Sequence, residues 1–105
     1  MSQGFTLMVD DTKTFEADAI ARTSQAAQVF LKNAEVDYLY LDHDLGPKSE
    51  MNGSELVSWM IENGCVPRIV HVISQNPEGV KNIEAKLRSF GYVYNKDEFY
   101  WEMSE

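Results

Sequence analysis

Cys65 is the only cysteine in this 105-residue chain. No disulfide can form within it, which fits a reducing compartment. Bases are also scarce: nine Lys and Arg stand against seventeen Asp and Glu, a formal net charge of -8. That balance disfavours nonspecific binding to DNA and to anionic membranes, since both are polyanions. No apolar run approaches the ~20 residues of a membrane-spanning helix, and no basic segment opens a secretory signal. The chain therefore reads as soluble and cytoplasmic, without membrane partners. Histidine occurs only twice, which leaves a zinc or iron centre short of nitrogen ligands. Repeats and low-complexity stretches are absent. The chain has enough apolar residues for one compact domain and too little length for two.

Two acidic clusters stand out, each closing a short apolar run. Phe5-Thr6-Leu7-Met8-Val9 stops at Asp10-Asp11, and Tyr38-Leu39-Tyr40-Leu41 stops at Asp42-His43-Asp44. Such runs read as buried strands. In an open α/β sheet, ligands bind beyond the carboxyl ends of the strands. If these two strands are parallel neighbours, Asp10, Asp11, Asp42 and Asp44 converge. Crowded carboxylates repel unless a cation or protons sit among them. A hard divalent cation taking oxygen ligands, Mg²⁺ or else Mn²⁺, is the natural occupant. Asp42 and Asp44 share a face, with His43 opposite, for as long as the strand lasts.

Strand and helix patterns alternate along the chain. Asp10 to Asp18 reads as loop. A helix is expected over 23–33, with Ala26, Ala27, Phe30, Leu31 and Ala34 on one face and Thr23 or Ser24 as its cap. Val36–Leu41 is the next strand, and a loop spans 46–52. A second helix is expected over 53–63, turning Leu56, Val57, Met60 and Ile61 inward and leaving Trp59 off that face. Residues 69–73 form a strand. Asn76 and Pro77 then open a third helix, which buries Val80, Ile83, Leu87 and Phe90 and stops at Gly91. Residues 92–94 form a short strand. This alternation implies a parallel sheet with right-handed crossovers. Asp10-Asp11, Asp42-His43-Asp44, Ser74 and Asn95-Lys96 then fall on one sheet edge.

These residues resemble the receiver domain of bacterial response regulators. Leu7-Met8-Val9-Asp10-Asp11 is similar to the acidic pair of that family, and Leu39-Tyr40-Leu41-Asp42 to the strand ending in its phosphorylated aspartate. Asn52-Gly53-Ser54-Glu55-Leu56 resembles the helix start that follows. Ile73-Ser74 resembles the strand-end Ser/Thr, and Lys96 stands for the family lysine. The helix expected between the first two strands is missing or shrunken. The loop after Asp42 is long, and the fifth strand and last helix lack counterparts. Those departures resemble the cyclic-phosphate-processing receiver-like domains. That group carries Leu-Asp-His-Asp-Leu-Gly, here residues 41–46, and Ser-x-Asn-Pro-x-Gly, here residues 74–79. The histidine that often precedes its serine is replaced by Ile73, and His71 lies two residues upstream.

The resemblance implies a receiver-like, flavodoxin-like three-layer sandwich with a small, mostly parallel sheet, reduced in helices and strands. The domain would span 1–96, followed by an acidic aromatic tail, 97–105. The tail's Phe99-Tyr100-Trp101 would cover bare sheet, or two chains would shield each other there. The resemblance also implies a metal held by Asp10, Asp11 and Asp42, supplemented by Asp44. Asp42 would be the reactive carboxylate, and Ser74 and Lys96 would steady phosphoryl oxygens. Arg22 and Lys48 compete with Lys96 for that task. The alternative role for Ser74 is to satisfy local backbone only. The α-helix start at Asn76-Pro77 offers N–H groups to the same phosphate. Three accounts follow. One is an Mg²⁺-dependent phosphoesterase acting on a phosphate-bearing small molecule or RNA end. Another is a stand-alone response regulator phosphorylated on Asp42. The last is a non-catalytic module that binds a protein partner or a second copy of itself.

Overall fold

The computed structural model describes residues 4–103. In chain order the elements are β1 (Phe5–Val9), β2 (Ala19–Ala21), α1 (Ser24–Asn33), β3 (Val36–Leu41), α2 (Gly53–Glu62), β4 (Ile69–Val72), α3 (Pro77–Phe90), β5 (Tyr92–Asn95) and β6 (Tyr100–Met103). Each helix starts on a side chain that caps it. Thr23 Oγ1 accepts the Ala26 N–H at 3.2 Å. Asn52 and Glu55 form a reciprocal capping box, with bonds of 2.8 and 2.9 Å. Asn76 caps α3 with Pro77 in its first turn, and Gly91, at φ 125°, ends it.

The strands form one sheet in the order β2-β1-β3-β4-β6-β5. The first four run parallel, and β6 is antiparallel to both β4 and β5. Register aligns Leu7, Leu39, Val70 and Trp101 across four strands. All four are buried, and Ala27, Leu31, Leu56, Val57, Met60, Ile83 and Leu87 from the three helices join them in one core cluster. Each large apolar side chain buried there stabilises the fold by ~1.5–3 kcal/mol.

All three helices thus share one face of the sheet. The opposite face carries a ring row. His71 stacks on Tyr40 at 4.5 Å between centroids, and Tyr100 meets His71 edge-on at 5.2 Å. The loop after β1 crosses this face. Its Phe15 meets the Tyr40 ring at 6.2 Å and donates its N–H to Met8 Sδ, so Met8 is fully buried without a helix above it. The receiver-like α/β architecture is as expected, with its loss of helices concentrated on this side.

Two strands differ from the sequence reading. β2 is a three-residue alanine-rich strand on the sheet edge, directly after the 10–18 loop. Residues 97–103 of the expected 97–105 tail are not outside the domain, because Tyr100–Met103 enters the sheet between β4 and β5. Trp101 is 3% exposed, whereas Phe99 is 72% exposed at the hairpin turn. Residues 104 and 105 lie outside the described range. Two inward assignments also shift: Phe90 is exposed, and Trp59 packs against the core. Among the described residues, no helix is long and apolar enough to cross a membrane.

Candidate metal and phosphate site

β1 and β3 are parallel neighbours in which Val9 pairs with Leu41. Their carboxyl ends therefore lie side by side, and the residues that follow are Asp10 and Asp42. The Asp42 N–H donates to Val9 O at 3.0 Å, extending the ladder one step beyond the strand. Asp10, Asp11 and Asp42 each offer one carboxylate oxygen, all within 4.8 Å of one another. Asp10 is fully buried. Its Oδ1 accepts the N–H groups of Thr12 and Lys13, both at 2.9 Å. Its Oδ2 is buried with no hydrogen-bond partner.

A buried carboxylate oxygen without a partner is costly. The Asp10 carboxylate also lies among two further carboxylates, so a proton or a cation must offset the repulsion. The donor set is all oxygen and carries three negative charges, which suits Mg²⁺ or Mn²⁺ and disfavours softer metals. Asp42 shows the strain directly. Burial, and then the neighbouring Asp10 charge, push its carboxyl above the usual carboxylate range. The His43 N–H at 2.8 Å, the Ser74 hydroxyl and the Lys13 charge pull the other way.

Asp44 is placed differently from Asp10, Asp11 and Asp42. β3 ends at Leu41, so the alternation that would align Asp42 with Asp44 stops before either residue. Asp44 is exposed instead. It takes His43 Nδ1 at 3.0 Å and Asn76 Nδ2 at 3.2 and 3.3 Å. These bonds hold its carboxyl below the usual range, with the His43 bond the largest cause. Asp44 thus ties the end of β3 to the start of α3.

His43 completes that tie. A Cβ on Gly79, in the first turn of α3, would fall inside the His43 imidazole. Only glycine lets the helix seat against the ring. Gly53 does the same for α2: its N–H donates to His43 O at 2.8 Å, and a Cβ there would strike the Asp42 carbonyl. The two sequence blocks, 41–46 and 74–79, are therefore one structural joint.

Ser74 follows β4, and its Oγ accepts the Asn76 N–H at 3.1 Å, so it serves local backbone while sitting beside Asp42. The α3 start has little left for an anion. Asn76 Oδ1 takes the Gly79 N–H at 3.1 Å, and Pro77 has no N–H to give. Lys96 is exposed beyond β5. β5 is separated from β4 by β6, so its end lies two strand spacings, about 10 Å, from β4. The cleft beside Asp42, about 270 Å³, is lined by Lys13, Asp42, Asp44, Gln75 and Asn76. Lys13 thus lines the cleft beside Asp42, and Lys96, which the resemblance implied there, does not. Sequence reasoning missed Lys13 because its loop resembles nothing in the motifs. Arg22 is committed elsewhere, donating to Asp10 O, Lys13 O and Thr14 Oγ1. Lys48 is exposed in the 46–52 loop. A larger cleft of about 630 Å³ lies at the other edge of the sheet, between Val36 and Arg68, away from the Asp10, Asp11 and Asp42 cluster.

A mostly parallel sheet whose first and third strands are each followed by aspartate, with a serine after the fourth, defines a receiver-like fold. In line with this, the chain is similar in structure to the signal receiver domain of a modulated diguanylate cyclase from Desulfovibrio desulfuricans G20. The TM-score is 0.61 at 14% identity, covering 81% of this chain and 76% of that one. More narrowly, the sequence profile of the cyclic-phosphate processing receiver domain matches residues 5–89. The chain belongs to that family. No curated protein matches it.

Proposed function

We propose that the protein is an Mg²⁺-dependent phosphate-handling domain that acts on cyclic phosphate ends of RNA or nucleotides. The observation that carries this is the Asp10 carboxylate, whose Oδ2 is buried and unpartnered and which brings an oxygen within 4.8 Å of ones from Asp11 and Asp42. Asp10, Asp11 and Asp42 would hold the metal, with water completing its shell. Bound there, Mg²⁺ would supply charge neutralisation and Lewis-acid polarisation of a phosphoryl oxygen.

The chain's own residues do the rest. Thr12 and Lys13 N–H groups fix the Asp10 carboxylate, and the His43 N–H fixes Asp42. Burial and the Asp10 charge raise the proton affinity of Asp42 above that of an ordinary carboxylate, the direction a general base requires. In the proposed reaction, a water oxygen adds to phosphorus and one ring P–O bond breaks. Asp42 receives a proton from the water, and the released ribose oxygen takes one up. Ser74, whose hydroxyl bonds Asp42 here, would turn that donor to a phosphoryl oxygen.

A panel of cyclic-phosphate nucleotides and RNA ends, incubated with Mg²⁺ and followed by phosphorus NMR, tests this reading. Ring opening with turnover is expected for the native protein and not for Asp42→Asn. A second reading, phosphoryl transfer to Asp42 as in a response regulator, draws on the similarity to a signal receiver domain. It predicts instead one stable phosphoryl group per chain from acetyl phosphate plus Mg²⁺, lost in Asp42→Asn. If both assays are blank, the remaining account is an interaction module.

A further inference from the structure

We infer that Lys13 is the side chain that binds the phosphate's negative charge, an assignment that rests on the phosphate-handling reading above. A phosphate entering a ring of carboxylates needs a side-chain cation besides the metal. Lys13 lines the same cleft as Asp42, Asp44 and Asn76. Its backbone is fixed at both ends: its N–H donates to Asp10 Oδ1 at 2.9 Å, and its carbonyl accepts from Arg22 at 2.6 Å. Among the described residues, the only ion pair within 4.0 Å is His43 with Asp44, so Lys13 is not committed to a carboxylate. The rival cations are placed otherwise. Arg22 is spent on the loop's own oxygens, and Lys96 lies beyond the edge strand.

The anion-binding cation therefore comes from the loop that stands between β1 and β2. This gives the helix-free 10–18 segment a function. It folds back over the β1 end tightly enough for one residue to brace a metal-binding carboxylate through its N–H while presenting an ammonium to the ligand. A helix beginning directly after β1 would carry residue 13 onward along its own axis, away from the cleft.

The test is calorimetric titration of inorganic phosphate into the full chain at saturating Mg²⁺, with Mg²⁺ alone titrated in parallel. Lys13→Gln should weaken phosphate binding about 10- to 100-fold, the value of one charge-assisted bond, and leave Mg²⁺ affinity equal or tighter. Lys13→Arg should retain most of the phosphate affinity, and Lys96→Gln should match the native protein. Native phosphate affinity in Lys13→Gln, or an equal loss in Lys96→Gln, overturns the assignment while leaving the phosphate-handling reading in place. No phosphate binding by the native protein overturns both.

Discussion

Single residues in this site carry conflicts that the rest of the fold must settle. Asp10 is buried with one oxygen satisfied and one not, and it raises the proton affinity of Asp42 beside it. Gly79 is held small by a neighbouring ring. Gly79→Ala should collide with His43 and cost about 1–3 kcal/mol, readable as a shift in the urea midpoint. His71 makes a separate prediction. Burial between Tyr40 and Tyr100 pushes its imidazole below the ordinary value. A base whose folded affinity for protons is depressed contributes stability that is complete at high pH. That stability is lost once the unfolded chain begins to protonate, below about pH 6.5. Thermal melts should therefore show native stability falling from about pH 7 to 5, and His71→Phe should flatten that fall.

At the scale of elements, the sequence was clearest where pattern and cap agreed. The first and third helices have the caps and stop expected of Thr23, Asn76-Pro77 and Gly91, and β1 and β3 end where the acids begin. The β5–β6 hairpin was hidden because its turn lacks the usual residues. Phe99 occupies the left-handed position, φ 63°, that glycine or asparagine normally fills. Asn95 supports the turn instead, accepting the Asp97 and Glu98 N–H groups. Phe99 is exposed, so replacing it forfeits little packing. Phe99→Gly should raise stability by about 1 kcal/mol, seen as a higher melting temperature. β2 was hidden by its length of three residues and its alanines, which carry no strand signal. At the site, the carboxylates were legible because they follow strands. Lys13 was not, because its place depends on the fold of an irregular loop.

The whole molecule is a single helical layer on a sheet whose other face is closed by the 10–18 loop and a row of rings. Its C-terminal strand lies inside that sheet, so a chain cut after Lys96 would lose both the β4 and the β5 pairings and the buried Trp101. That truncation should abolish the cooperative thermal transition in circular dichroism, whereas a dispensable tail would leave it unchanged. The central claim is that a divalent cation belongs at the carboxyl ends of β1 and β3. Titrating Mn²⁺ into the ¹⁵N-labelled protein tests it most directly, because a bound paramagnetic ion broadens nearby amide signals. The account predicts that amides of residues 9–13, 42–44 and 73–75 broaden first, and that Asp10→Asn/Asp11→Asn removes the effect. Broadening centred on other acidic residues, or undiminished in the double variant, would contradict it.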